Sequence, residues 1–397
     1  MSKPIKVLTF STLYPNREMP YHGIFVESRL LHLLRGREVA ALVIAPVPWF
    51  PWQSRVFGRY GTFARVPGEE QRHGVTILHP RYLLMPKIGM SLAPSLMYRS
   101  LRTHIDHVLR GRFSFDVIDA HYFYPDGVAA ALLGRRLRKP VVITARGTDV
   151  NLIPEYRLPR RWIRWAAGQA AAIVAVSEAL RARLIELGVP DSRIEVLRNG
   201  VDLDLFAPRN REAARRQLGL NVTGVVLASV GSLIPTKGHE VAIRATALLP
   251  QVTLLIAGEG PQDGALRRLA ECLGTADRVR FMGAVPQERL VTVYNAAEIV
   301  VLASSREGFS NVLLEALACG TPVVATDVGG TPEIVAAPVA GRLVEERSPE
   351  ALGHAIRDLL RDPPAREAVR AYAERFGWAP TTAGQIRVFR SILASAG

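Results

Sequence analysis

Ile299-Val300-Val301-Leu302-Ala303-Ser304-Ser305-Arg306-Glu307-Gly308-Phe309-Ser310-Asn311-Val312-Leu313-Leu314-Glu315-Ala316 is the stretch of this 397-residue sequence that decides its fold. Ile299–Leu302 is apolar without alternation, as in a strand buried on both faces. Gly308 and Ser310 precede a helical run that ends at Gly320, so the segment reads strand, loop, helix.

The same rhythm extends in both directions. In the second half, strands are expected at Gly224–Val230, Val252–Ala257, Val279–Met282, Pro322–Ala325 and Gly341–Val344. In the first half they are expected at Lys6–Phe10, Val39–Pro46, Asp116–Ala120, Val141–Thr144, Ala172–Ser177 and Arg193–Leu197. Helical patterns cover Phe25–Leu34 and about Ala93–Arg110, while Pro46 to Tyr82 reads mostly as loop and short strand. Strands alternating with helices predict an α/β chain with parallel sheets. A chain this long exceeds one core, because single cores stop growing at roughly 250–300 residues. Two doubly wound, Rossmann-like domains facing across a cleft are therefore expected. Their bounds are 1–205 for the first domain and 206–375 for the second, with 376–397 a terminal helix packing back on the first. Phe376-Gly377-Trp378 and Pro380 should bend the chain ahead of that helix.

Composition narrows the function. The 48% hydrophobic and 22% charged fractions are globular, and two cysteines, Cys272 and Cys319, make neither a disulfide framework nor a metal-ligand pattern. No run approaches the ~20 apolar residues of a membrane helix, and Met1–Phe10 reads as a first strand rather than a signal peptide. A cytoplasmic location is expected, with peripheral contact to the inner face of the cell membrane. The net charge of +14 lies wholly in residues 1–200, which hold 29 Lys and Arg against 15 Asp and Glu, while the remainder is balanced at 21 of each. Such a field attracts phosphates, an anionic membrane or nucleic acid. Nothing resembles a nucleic-acid module, and the neutral second half argues against a generic one.

The chemistry concentrates in the opening stretch. Helix N-termini present unpaired N–H groups and partial positive charge, a ready phosphate site. Glu307 sits at the mouth and Glu315 one to two turns into the helix, where two carboxylates can accept hydrogen bonds from the vicinal hydroxyls of a sugar and a ribose.

With its context, this pattern resembles the retaining family-4 glycosyltransferases of the GT-B fold, of the bacterial polysaccharide and envelope type, whose signature is a Glu, seven residues and a second Glu. Val230-Gly231-Ser232-Leu233-Ile234-Pro235-Thr236-Lys237-Gly238 looks like the family's phosphate loop. Leu255-Ile256-Ala257-Gly258-Glu259-Gly260-Pro261, Phe281-Met282-Gly283, Gly320-Thr321-Pro322-Val323-Val324-Ala325 and Asp327-Val328-Gly329-Gly330-Thr331-Pro332-Glu333 follow in family order. Asp119-Ala120-His121, Thr144-Ala145-Arg146-Gly147-Thr148-Asp149, Val176-Ser177 and Asn199-Gly200-Val201-Asp202 match in the first half.

The resemblance implies a nucleotide-diphosphate sugar, UDP-sugar first, as co-substrate, with no cofactor and no metal; residues 206–375 would be the nucleotide-sugar-binding domain and residues 1–205 the acceptor-binding one. Lys237 would contact the diphosphate, Gly308, Phe309 and Ser310 would offer it N–H groups, and Glu315 would hold the ribose. Glu307 would grip the transferred sugar, and Met282 and Gly283 would meet the base. The Gly23 loop would approach the phosphates, while His121, Arg146 and Asp149 would line the acceptor side. His121, Lys237 and Glu307 are the implied catalytic set. Ser232 stands where many relatives carry Arg, and Arg146 where His is commoner, so the leaving group would lean on Lys237 or borrow Arg306 or Arg146. The acceptor implied is a glycan or lipid-linked glycan. An epimerase or phosphorylase of the same fold, and a silent membrane or polyanion-binding protein, are the rivals.

Plainer readings stand beside these. Glu315 alone would be an ordinary helix glutamate, Lys237 a surface lysine and His121 a satisfied structural histidine. Thr331 as N-cap with Pro332 at N1 would give Asp327 and Glu333 a helix-start role. Trp49-Phe50-Pro51-Trp52 with Arg55 and Arg59, and Arg160-Arg161-Trp162-Ile163-Arg164-Trp165, place Trp beside Arg as an interfacial membrane contact does; a core tryptophan flanked by solvated arginines is the alternative.

Overall fold

The computed structural model describes residues 3–84, 89–108, 111 and 113–395. The chain forms two compact units, Met1–Asn199 with Ala379–Gly397 and Gly200–Trp378. These divisions fall at Asn199 and Trp378, against the expected 205 and 375.

The first unit opens with β1 (Ile5–Phe10), α1 (Ile24–Arg35), β2 (Val39–Ile44) and β3 (Val47–Pro48). It continues through α2 (Gly58–Arg65), β4 (Glu69–Arg72), β5 (Val75–Leu78), β6 (Arg81–Tyr82) and α3 (Gly89–Val108). Next come β7 (Val117–His121), α4 (Val128–Leu137), β8 (Val141–Ala145), α5 (Thr148–Asn151), α6 (Arg157–Gln169), β9 (Ala172–Ala175), α7 (Glu178–Glu186) and β10 (Ile194–Val196). The main sheet runs β10-β9-β8-β7-β1-β2-β5-β4, parallel except for the antiparallel edge β4. In register, Val7 faces Val117 and Thr9 faces Asp119, while His121 faces Thr144. Because side chains alternate along a strand, one sheet face carries Val7, Val117 and Val142 toward the core and then Thr9, Asp119, His121 and Thr144 at its C-terminal end. Val26, Leu30 and Leu33 of α1 close that core.

The second unit contains α8 (Arg211–Gln217), β11 (Val225–Val230), α9 (His239–Ala247), β12 (Val252–Ala257), α10 (Asp263–Cys272), β13 (Val279–Gly283) and α11 (Gln287–Ala296). It goes on with β14 (Ile299–Leu302), α12 (Asn311–Ala318), β15 (Val323–Thr326), α13 (Thr331–Ile334), β16 (Gly341–Val344), α14 (Pro349–Arg361) and α15 (Arg366–Glu374). All six strands are parallel in the order β13-β12-β11-β14-β15-β16. The last helix, α16 (Trp378–Ala394), places Ile386 and Phe389 in the core of the first unit. In doubly wound sheets, ligands bind outside the strand C-termini where the strand order reverses. That point lies between β11 and β14 in the second unit and between β1 and β7 in the first.

Several local expectations are corrected. Val39–Pro46 ends as a strand at Ile44, and Ala172–Ser177 ends at Ala175, because Ser177 is the N-cap of α7 and its hydroxyl accepts from Leu180 N at 3.2 Å. Between Pro46 and Tyr82 the loop and short strands are present as expected, the strands being β3, β4, β5 and β6, and α2 was not foreseen. The expected break between the two closing helices is present, α15 ending at Glu374 and α16 starting at Trp378, and Pro380 sits in the first turn of α16, where a missing N–H costs nothing. The N-cap of α13 is Gly330 rather than Thr331, which is itself the first helical residue. The expected helix end at Arg110 falls outside the described residues.

Candidate active site

In the second unit the loops leaving β11 and β14 meet. Lys237 Nζ donates to Glu307 Oε1 at 2.6 Å, and Ser304 Oγ donates to the same oxygen at 2.7 Å. Ser305 N donates to Thr236 O at 2.8 Å, so the two loops are also joined through their backbones. Gly238 makes that junction possible: its φ is +71°, and a Cβ there would lie 1.9 Å from Ala303 O. Gly329, at φ +54°, packs the loop after β15 against the carbonyl of Glu307, where a Cβ would come within 1.9 Å. Arg347 Nε caps Ala303 O at 2.7 Å and its guanidinium pairs with Glu240. Sequence reasoning missed this strut, because Arg347 lies in no motif.

Glu307 is buried in the loop before α12, whose N-cap is Ser310, and Lys237 is half-buried just before Gly238, the N-cap of α9. Gly308, Phe309 and Ser310 form the turn into α12. Glu315 lies just over one turn in and is buried; its Oε2 accepts from Tyr294 Oη at 2.7 Å. Burial pushes the Glu315 carboxyl up to about 7, against the downward pull of hydrogen bonds from Tyr294 and Gln287. Burial, and then the Glu315 charge, hold the Tyr294 hydroxyl well above its usual value. Neither Tyr294 nor Gln287 was legible as a site residue. Ser232 is exposed on the Lys237 loop and Arg306 is exposed on the Glu307 loop. Met282 and Gly283 end β13, and Gly283 O already accepts from Gly258 N at 2.8 Å.

The first unit gathers its own group. Arg146 donates through one terminal nitrogen to His121 Nδ1 at 2.8 Å and through the other to Asn199 Oδ1 at 2.9 Å. Its guanidinium lies 5.2 Å from the Phe25 ring centroid. Asp149 accepts from the N–H groups of Phe123, Gly147 and Arg146 at 2.6, 2.7 and 3.1 Å, so it organises the loop after β8. His121 is 1% exposed, with Nε2 3.3 Å from Asp119 Oδ2. Burial holds the His121 ring down to about 4, with the Asp119 charge opposing and the Arg146 charge assisting. Burial, then Arg29, lowers Arg146 to about 9. Gly23 forms the turn into α1, packed on Leu13. Unforeseen from sequence, Thr12 N and Oγ1 bond Asp126, whose carboxyl burial pushes up to about 8 despite those bonds.

The aromatic-basic stretch lies on the surface of the first unit. Trp49 and Trp52 are 50% and 58% exposed, and Phe50, Trp52 and Phe57 pack ring to ring. The second stretch falls within α6, which buries Ile163 while Trp162 and Trp165 meet edge to face. Among the described residues, no helix is long and apolar enough to cross a membrane.

Two family models match without overlap: Glycosyltransferase Family 4 over residues 51–205 and Glycosyl transferases group 1 over residues 210–376. The chain belongs to the family-4 glycosyltransferases. A D-inositol 3-phosphate glycosyltransferase of Mycolicibacterium smegmatis is 38% identical over 284 residues, covering 67% of this chain and 65% of that protein. This family-4 chain thus spans about two thirds of that relative's length. A sucrose-phosphate synthase from Thermosynechococcus elongatus superposes with a TM-score of 0.79 at 21% identity over 99% and 100% of the two chains. The Anabaena protein HepE, solved with UDP-glucose, superposes with a TM-score of 0.74 at 20% identity over 98% and 100%. The fold is therefore GT-B.

Proposed function

We propose that this chain transfers a sugar from UDP-sugar to an acceptor hydroxyl, with retention at the anomeric carbon and without a metal. The observation that carries the reading is the Lys237–Glu307 pair at the switch point of the second unit, which joins the loop entering α9 to the loop entering α12. A bound diphosphate would take Lys237 as its cation and the start of α12 as its N–H donors. Lys237 then leaves Glu307, whose carboxylate is free for the hydroxyls of the transferred sugar. Glu315, just over one turn into α12, takes the ribose. Catalysis would come chiefly from holding the acceptor hydroxyl against the anomeric carbon while the diphosphate leaves, its oxygen accepting the proton.

The acceptor is read as a lipid-linked glycan, which the first unit would meet at an anionic membrane. The exposed Trp49, Trp52 and Val56 beside Arg55 and Arg59 supply apolar and cationic contact together. A second reading is a soluble phosphorylated polyol, favoured by the relatives named for D-inositol 3-phosphate. A screen of nucleotide sugars by thermal shift, followed by product analysis with both acceptor classes, tests the reading. Stabilisation by UDP and its sugars, with a glycosylated product that keeps the donor's anomeric configuration, is expected. An inverted product, or nucleotide release with no glycosylated product, overturns it.

A further inference from the structure

At the C-terminal end of the first unit's sheet, every hydrogen bond around His121 has a forced direction. Arginine can only donate, so the 2.8 Å contact from Arg146 makes Nδ1 of His121 the acceptor. The neutral ring then carries its proton on Nε2, which faces Asp119 Oδ2 at 3.3 Å. That carboxylate oxygen also accepts from Gln385 Nε2 at 2.7 Å, while Gln385 Oε1 accepts from Arg29 Nε at 2.7 Å. Arg29 donates again to Leu197 O at 3.1 Å and is fully buried. The amide of Gln385 therefore cannot turn over, because Arg29 fixes its oxygen and Asp119 fixes its nitrogen. Asp119 Oδ1 has no hydrogen-bond partner among the described residues, which leaves Gln385 as the group that sets the plane of this carboxylate.

We propose that Asp119, oriented by Gln385 of α16 and charge-balanced by Arg29, is a positioning residue that fixes His121 as the neutral Nε2–H tautomer. His121 in turn presents a bare Nδ1 that aims the Arg146 guanidinium. The proposal rests on the reading that Arg146 faces the acceptor, and it gives α16 a part in the site that no local motif carries. The charged groups acting on His121 are Asp119 of its own strand, Arg29 from α1 and Arg146 from the loop after β8, with α16 contributing the uncharged Gln385. Burial and Arg146 hold the ring neutral, and Asp119 chooses which nitrogen keeps the proton.

The test is nitrogen-15 NMR of the histidine rings in the full chain, with His121 assigned by its loss in His121→Asn. The expected wild-type pattern is a single Nε2–H tautomer that does not titrate between about pH 5.5 and 8, well above the lowered ring value. Gln385→Met keeps the length of the side chain but neither hydrogen bond, and should raise the minor tautomer about tenfold. Gln385→Glu sets a second carboxylate beside Asp119 and should move the His121 titration up into the observed range. A residue that merely packs would change stability and neither of these signals. An Nδ1-protonated ring in the wild type, or an unchanged ring pattern in Gln385→Met, overturns the proposal, and the wild-type measurement decides even if the variants fail to fold. Should the tautomer be as expected while Arg146→Lys leaves product formation unchanged with the donor found in the nucleotide-sugar screen, the acceptor role of Arg146 falls and the positioning stands.

Discussion

The two units build their switch points in opposite ways. In the second unit a half-buried Lys237 and a buried Glu307 are each other's partners, on two loops braced by close backbone contacts. In the first unit the polar groups are buried and outnumber their partners: Thr9, Arg29, Asp119, Thr144 and Arg146 each keep a buried polar atom without a hydrogen bond among the described residues. A pair with one half-exposed member can exchange that partner for a ligand, whereas an under-satisfied buried cluster holds its orientation because every alternative leaves more polar atoms unpaired. The first arrangement suits capture and release, the second fixed aim.

Lys237→Ala is the sharpest way to break this contrast. Removing one preorganised charge contact typically costs ~2.7–4 kcal/mol in the transition state, so turnover should fall about 100-fold or more in a steady-state assay. Near-normal turnover would transfer the leaving group to Arg306 or another cation. Gly238→Ala comes next. It adds a left-handed penalty of about 1–2 kcal/mol to a backbone clash, so it should lower the melting temperature and weaken UDP in calorimetry together. An unchanged melting temperature would mean the loop junction has room that the geometry denies.

Glu315→Gln should weaken UDP and UDP-sugar alike, while Glu307→Gln should discriminate among intact sugars and spare UDP. The reverse ranking would exchange their roles. Glu315 also predicts a pH effect. Its carboxyl is raised to about 7, so it is protonated below that pH and a better acceptor for ribose hydroxyls above it. UDP affinity should therefore rise by up to about tenfold from pH 6 to pH 8, and Glu315→Gln should flatten the slope. The same raised value means that ionising Glu315 opposes folding. This contribution is absent below the unfolded carboxylate value, grows as pH rises from there to about 7, and is complete above it.

The smallest effect is expected at the exposed aromatics. Trp49 and Trp52 replaced together by Ala should loosen binding to anionic vesicles at high salt, where the apolar share remains after screening. Equal binding to neutral and anionic vesicles, or none to either, would favour the soluble phosphorylated acceptor.

The second unit was legible because its central strands are buried on both faces, so Ile299–Leu302 and residues 323–325 show as uninterrupted apolar runs. Residues 46–82 were less so, because their elements are short and half-exposed: Glu69–Arg72 carries no apolar residue, and α2 buries only Gly61. At the sites, helix position and residue type marked Glu307, Glu315 and Lys237. The pairing of Lys237 with Glu307 across seventy residues was beyond local reading. Asp119 with Gln385 spans 266 residues, and Arg29 with Gln385 spans 356. Nothing in a window around Gln385 distinguishes it from any other helix glutamine.

The return of α16 to the first unit also orders the chain in time. Ile386 and Phe389 complete a core whose other members end at Leu197, so a ribosome must add roughly 190 residues after Asn199 before that core can close. At about 5–20 residues per second this takes on the order of ten to forty seconds. During that interval the growing chain exposes an unfinished apolar face while the second unit is still being made. Nascent protein should therefore depend on a holding chaperone, and stalling translation shortly before codon 386 should leave the first unit sensitive to protease.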